Sequence, residues 1–164
     1  MTRRPDVPMT ESRRIADQLR RAFDGNAWHG SSLRELLDGI SAEQAASRPV
    51  SSAHSIWELV LHIEVWAHAA LGAVQGTPMP KIVGTAQDWQ VIKDGSSDAW
   101  NLVLKRLFQT KDQLAAAIED FQDERLTEIV PGRKYDFYYL FHGIVQHSLY
   151  HGGQIAVLKK SNKA

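Results

Sequence analysis

The amino-acid sequence predicts an all-α protein, a bundle of four long helices with two short ones between them. Four long segments carry apolar residues at the three- and four-residue spacing of a buried helix face. Capping boxes of the form Ser-x-x-Glu or Ser-x-x-Gln begin at Ser32, Ser41 and Ser55, and such boxes mark helix starts. No segment shows convincing strand character. Helices that each bury one apolar stripe pack together as a bundle.

The first long helix is predicted over residues 10–23, where apolar residues recur between arginines. Gly25 and the asparagine after it end this helix. Two short helices follow, over residues 32–38 and from Ser41 to before Pro49, because each opens with a capping box. A compact turn with a tryptophan, a histidine and a glycine lies between the first long helix and the first short one.

The second long helix is predicted from Ser55 to Gln75, and Gly76 and Pro78 prevent it from continuing. The next segment, residues 76–95, has little periodicity. A connection of about 20 residues is unusual in a compact domain. In an all-helical bundle it is typical of a crossover that joins two parallel neighbouring helices. We therefore expect the long crossover between the second and third long helices.

The third long helix is predicted from an N-cap at Ser97 to about Phe121, and the fourth over residues 136–160. A loop with a proline and a glycine separates them. Gly152 and Gly153 lie inside the fourth helix, where each costs about 1 kcal/mol relative to alanine. We expect a close approach by a neighbouring helix or a ligand to explain them.

Length and composition favour a single cytoplasmic domain. The 164 residues fit one domain over residues 10–160, after a flexible N-terminus at residues 1–9. Lysine plus arginine and aspartate plus glutamate number 19 each, so charge gives no case for nucleic acid or an anionic membrane. No apolar run is long enough to span a bilayer. The chain has no cysteine, which excludes disulfides and thiolate metal sites within it.

Three histidines are predicted to point inward from two helices. His147 and His151 are four residues apart, so they lie about 40° apart on one side of the fourth long helix, on its apolar stripe. His62 lies within the apolar arc of the second long helix, whereas His68 and His142 fall on other sides of their helices. Neutral imidazole is a common ligand of divalent transition metals. The alternative is that all three are core histidines satisfied by hydrogen bonds.

Two segments resemble the DinB-like superfamily of small, metal-dependent four-helix bundles. The first is Ser55-Ile56-Trp57-Glu58-Leu59-Val60-Leu61-His62-Ile63, and the second is His147-Ser148-Leu149-Tyr150-His151-Gly152-Gly153-Gln154-Ile155. The superfamily has one histidine on the former helix and His-x-x-x-His on the latter, with a Gly-Gln commonly after the last histidine. The resemblance covers essentially the whole chain beyond the first ten residues.

The resemblance implies an up-down-down-up bundle, a homodimer, and one divalent ion at the end of an open pocket. By position, the implied metal ligands are His62, His147 and His151, and zinc, nickel, iron or manganese are the candidate ions. All three positions are histidine here, although aspartate or glutamate replaces one in some relatives.

Four further residues near these motifs have two interpretations each. Trp28 and His29 can roof a pocket, but we favour a core position for the tryptophan and a solvated histidine. Glu58 can orient a ligand or act as a base, but its capping box explains it more simply. Gln154 can bind a metal-bound water or only cap a backbone group.

Two classes of function stay open. The resemblance implies a metal-dependent transferase or hydrolase that acts on a small electrophile, with a low-molecular-weight thiol as cosubstrate or water as nucleophile. The alternative is a non-catalytic metal or small-molecule binding protein of the stress response. A third possibility is that the chain keeps the three ligand residues but binds no metal in the cell. An open coordination position beside an apolar pocket favours the enzyme, and a fourth protein ligand favours the binding protein.

Overall fold

The structure, a computed structural model, describes residues 9–161, and it confirms the predicted all-α class for them. Nearly all of the predicted flexible terminus, residues 1–8, lies outside this range. The helices are α1 Glu11–Asp24, α2 Leu33–Leu37, α3 Ala42–Ala46, α4 Ile56–Val74, α5 Ser97–Glu119 and α6 Phe137–Ser161, with a 3-10 turn at Asp123–Arg125. Within residues 9–161, β pairing is limited to one isolated bridge between Ile129 and Asp136.

Local capping sets where the helices begin. The boxes at Ser32, Ser41 and Ser55 all form, so α2, α3 and α4 each start one residue later. The predicted cap of α5 is wrong by one residue. Its N-cap is Ser96, whose hydroxyl accepts the Ala99 N–H at 3.2 Å. That N–H lies in the first turn, where the helix itself offers no carbonyl partner, so the serine three residues earlier makes the cap.

Contacts between helix ends give the bundle its up-down-down-up order. The start of α1 meets the end of α5, because the Asp123 carboxylate accepts the N–H groups of Glu11 and Ser12 at 2.8 and 3.0 Å. These two helices are therefore antiparallel. Near the starts of α4 and α5, the rings of Trp57 and Trp100 lie 5.1 Å apart, so those two helices are parallel.

The last helix, α6, packs against α4 and α1. His62 in α4 lies near His151, while Trp66, one turn later in α4, lies near the earlier His147. The two helices are therefore antiparallel. Their shared face carries the inward histidines near the middle of each helix.

The crossover between α4 and α5 is packed against the bundle. It runs back along α4 because it joins the end of that helix to the start of a parallel one. Met79 and Ile82 are buried, and the Met79 N–H donates to the Pro131 carbonyl at 2.9 Å. Further along, the Asp88 carboxylate accepts the Gly84 N–H at 3.2 Å. This path places Asp88 and Trp89 beside α4 at the level of His62.

The glycine pair in α6 does not mark a close approach. A Cβ atom on Gly152 would lie 3.6 Å from the Leu33 side chain of α2, which is ordinary van der Waals contact. A Cβ atom on Gly153 would meet nothing within 4 Å. The explanation by a neighbouring helix was therefore wrong, and the explanation by a ligand stays a prediction. Gly153 borders open clefts on the α6 surface.

Candidate metal centre

Three imidazoles from two helices converge on one point between α4 and α6. The Nε2 atom of His147 lies 3.0 Å from that of His62 and 3.1 Å from that of His151. His62 and His151 are only 6% and 5% exposed, whereas His147 is partly exposed. His147 is therefore the member of the cluster that keeps some contact with solvent.

The two nitrogen–nitrogen distances measured from His147 fit ligands of a single divalent ion. Metal–nitrogen bonds of about 2.0–2.1 Å at angles of 90–110° place neighbouring nitrogens about 2.8–3.4 Å apart. A candidate ligand atom from each histidine lies within 4.8 Å of the others. Within residues 9–161, no aspartate, glutamate or fourth histidine joins this group. The donor set is thus three neutral nitrogens, which suits zinc, nickel or iron.

Hydrogen bonds on the far side of two rings fix which nitrogen faces the cluster. The Nδ1 atom of His62 lies 2.7 Å from the Asp88 carbonyl oxygen, which can only accept, so this Nδ1 carries the proton. His151 Nδ1 lies 2.6 Å from Gln154 Oε1 and donates to it in the same way. In the neutral tautomer each Nε2 then presents a lone pair to the cluster. Such outer partners are typical of metal-binding histidines.

The surroundings keep all three imidazoles in the neutral form that coordinates a metal. Burial lowers the pKa of His147 from 6.5 to about 3, and repulsion from charge on His151 and His62 adds to this. Burial also lowers the pKa of His62, against an opposing effect from its hydrogen bond with Asp88. The pKa of His151 is lowered by burial too, against the hydrogen bond to Gln154.

A stack of aromatic rings packs against one face of the centre. Trp89 from the crossover lies between two imidazoles, with ring centroids 4.1 Å from His62 and 3.5 Å from His54 and interplanar angles of 2° in both cases. On another side, the Trp66 ring approaches His62 and His147 at 6.3 and 5.7 Å. These indoles restrict the rotation of the His62 ring and cover it with apolar surface.

The structure brings together the three histidines that the sequence predicts, and their role as metal ligands stays a prediction. The outward placement of the other two helical histidines agrees with the helical spacing. His68 is exposed, and His142 lies away from the cluster, 3.9 Å from a Glu11 carboxylate oxygen. Glu58 is the capping acid of α4, as favoured, and it also pairs with Arg48 at 2.5 Å.

Several placements near the site differ from the prediction. Trp28 is 102% exposed rather than packed in the core, because the turn that carries it points away from the bundle. His29 is exposed, as favoured. Gln154 holds the His151 ring, which is neither of the two roles considered for it. His54, which lies just before α4, has one face of its ring against Trp89.

Two contributors to the site were missed altogether, Asp88 and Trp89. Both lie in the aperiodic crossover, so helical spacing could not place them. Asp88 contacts His62 through its backbone carbonyl, which has no signature in a sequence. The only signal for Trp89 in the sequence was an isolated aromatic residue within the crossover.

The helices that surround this centre pack against one another in the bundle. None of the helices within residues 9–161 combines the length and the hydropathy needed to cross a bilayer.

Comparison with known proteins agrees with this geometry. The family model of the DinB superfamily matches residues 27–155, which include all three histidines and the crossover. No curated protein and no solved structure matches the chain significantly. Because the matched span covers most of the 164 residues, the chain belongs to the DinB superfamily.

Proposed function

We propose that this protein is a metal-dependent transferase or hydrolase that acts on a small electrophilic molecule. In this proposal His62, His147 and His151 hold one divalent ion. The observation that carries it is the convergence of three Nε2 atoms, with no fourth histidine or carboxylate in the group within residues 9–161. Three protein ligands with an open position are typical of catalytic centres, whereas structural zinc sites use four.

The residues around the cluster favour an open site over a closed one. The Asp88 carboxylate lies 3.3 Å from His62, but on its Nδ1 side, which faces away from the other two histidines. It therefore orients the ring and does not complete the coordination. The side chain of Gln154 is likewise engaged at the far nitrogen of His151. A fourth position is left for a small molecule or water.

The chain's own groups would prepare such a centre for chemistry. A divalent cation lowers the pKa of a bound thiol or water and so supplies a nucleophile near neutral pH. Asp88 and Gln154 would hold two of the rings in the coordinating tautomer, and Trp89 and Trp66 would limit access of bulk water. A thiol must come from a cosubstrate, because the chain has no cysteine.

A screen of nucleophile and electrophile pairs tests the proposal. Zinc-, nickel-, manganese- and iron-loaded protein would be incubated with a low-molecular-weight thiol and an epoxide, a halogenated compound or a maleyl-type acid, and products followed by mass spectrometry. We expect turnover with at least one pair, loss to background in His147→Ala, and no change in His142→Ala. Protein that binds the metal but turns over no thiol pair and hydrolyses no ester or amide would support the non-catalytic binding role.

The partner and location expectations also enter as proposals. We infer a small-molecule substrate and a homodimer in the cytoplasm. Light scattering checks the dimer directly, since it predicts twice the 18.4 kDa mass of one chain.

A further inference from the structure

A small aromatic pocket adjoins the candidate metal centre at its accessible side. Its volume is about 190 Å³, and His147 forms part of its wall. The remaining wall comes from Trp66, Tyr135 and Tyr139, from the backbone at Gly143, and from two aliphatic side chains of α6. We call this cavity the aromatic pocket.

Helix register explains why this pocket lies next to the cluster. Trp66 follows His62 by one turn in α4, and Gly143 precedes His147 by one turn in α6. Because the two helices are antiparallel, these turns lie side by side and line one groove. Three larger cavities on the described surface are lined by none of the three histidines. Among these four cavities, the aromatic pocket is therefore the one that has a candidate metal ligand in its wall.

The pocket has the size and the walls for a single ring. An apolar cavity of about 150 Å³ is large enough to hold benzene. Here the walls are mostly aromatic, and indole and phenol rings favour stacked or edge contacts with another ring. Tyr135 already lies 5.2 Å from Tyr139, with its hydroxyl directed to the Met79 sulfur at 3.4 Å, so its ring is fixed.

The tryptophan in the wall carries an unsatisfied donor. The Trp66 Nε1–H is buried and has no hydrogen-bond partner among the described residues. Three other buried side-chain atoms, on Ser12, His54 and His142, are likewise unpaired, so this donor does not by itself identify a ligand.

We propose that the aromatic pocket binds a planar ring of about six members on the substrate, and that it thereby selects aryl-bearing electrophiles over short aliphatic ones. This rests on the proposed function, because it takes the reacting group to lie at the metal beside His147. Gly143 is the position that controls the size of the ring. A Cβ atom there would meet nothing within 4 Å, so a larger side chain would occupy the space of the ligand without displacing the helix.

Two metal-binding probes test this without any turnover. Benzohydroxamate and acetohydroxamate bind a divalent ion through the same two oxygens and differ in a phenyl or a methyl group. Their dissociation constants would be measured by titration calorimetry on zinc-loaded native protein, Gly143→Leu and Gly143→Ala. Gly153→Leu is the matched control, because Gly153 lies on the same helix with open space around it but outside the aromatic pocket.

We expect benzohydroxamate to bind the native protein at least about tenfold more tightly, because its ring leaves water for the pocket. The ratio should fall to near one in Gly143→Leu, fall partly in Gly143→Ala and persist in Gly153→Leu, with metal content unchanged in all four proteins. Equal binding of both probes to the native protein, or a ratio that Gly143→Leu leaves intact, would overturn the inference and leave the metal site standing. Absence of metal from the native protein would overturn the proposed function itself.

Discussion

Two of the buried polar clusters in this bundle differ in whether their charges and lone pairs are matched. Between α1 and α5, the Lys111 ammonium is 1% exposed and lies 2.5 Å from both Asp24 and Asp112. Between α4 and α6, three imidazoles point the same nitrogen atom, Nε2, toward one another. The lysine cluster has its charges matched within the chain, whereas the histidine cluster presents nitrogen lone pairs that a cation would match.

The difference indicates which cluster is structural. Every charged atom of the lysine cluster has an opposite charge beside it, so folding alone explains it. In the histidine cluster, His62 and His151 each have their one proton engaged on the far side of the ring, so both face His147 with lone pairs. The His147 N–H can satisfy one of them well. A shared divalent ion would satisfy all three.

The largest expected effect follows from removing a ligand. His62→Ala, His147→Ala and His151→Ala should each weaken zinc binding by more than about 100-fold, since each removes one of three ligands. Helix content should stay close to native, because the core is apolar. Competition with a chelating dye measures the affinity, and circular dichroism measures the helix content. His68→Ala and His142→Ala are the controls, and loss of metal from His142→Ala would contradict the assignment of the α6 face.

A smaller loss is expected where a group only orients a ligand. Gln154→Leu removes the acceptor of the His151 Nδ1 proton, and Trp89→Leu removes the ring stacked on His62. Each should weaken zinc binding by about 10–100-fold, which is the usual effect of an outer-shell partner. The same dye competition gives the values. Trp28→Leu is the control, since that side chain is fully exposed, and affinities equal to that of this control in both test variants would show that neither contact orients a ligand.

The next expected effect is a pH dependence of the unfolding free energy of metal-free protein, and it arises from the histidine cluster. The pKa of His147 is lowered from 6.5 to about 3 in the folded chain, so below pH 6.5 the unfolded chain takes up the proton and the folded chain does not. The resulting stability is present above pH 6.5 and is lost as the pH falls toward 3. At pH 5 the loss from this one group is about 2 kcal/mol, or roughly 4–8 °C.

Thermal unfolding in chelator at pH 7.5 and pH 5 measures this loss. His147→Leu should lose less stability than native protein over that interval, because it lacks the titrating group. An identical loss in the two proteins would mean that the His147 imidazole titrates normally in the folded chain.

The smallest effect is expected at the matched cluster. Lys111→Met keeps most of the side-chain volume, leaves Asp24 paired with Arg34 and leaves the largely exposed Asp112 in solvent. Unfolding free energy should change by less than about 1.5 kcal/mol, and zinc affinity should not change. Urea denaturation and dye competition check the two parts. A loss of zinc binding in this variant would show that the two clusters are coupled.

The sequence predicted the helix starts and side-chain directions that depend only on residues close together along the chain. The capping boxes at Ser32, Ser41 and Ser55 place three helix starts because the bonds in them are local. The inward direction of His62 and His151 followed from helical spacing, which needs only the period of the helix. Neighbouring serines were less decisive, and for α5 the hydroxyl of Ser96 makes the cap in place of that of Ser97.

The features of the site that the sequence did not predict depend on tertiary contacts made by irregular backbone. The carbonyl of Asp88 and the ring of Trp89 reach His62 across 26 and 27 positions of sequence, through a segment with no period. Trp28 was expected in the core because tryptophan is usually buried, but its turn projects from the bundle. The aromatic pocket combines a turn of α4 with residues around the start of α6, so it appears only once the two helices are antiparallel.

The central claim is that the three-histidine cluster holds one divalent ion, and elemental analysis tests it most directly. Native protein and His147→Ala/His151→Ala would be purified without a histidine tag and analysed side by side for zinc, nickel, iron and manganese. We predict about one divalent ion per native chain and none in the variant. No metal in native protein, even after incubation with each of these ions, would contradict the claim and leave His62, His147 and His151 as hydrogen-bonded core residues.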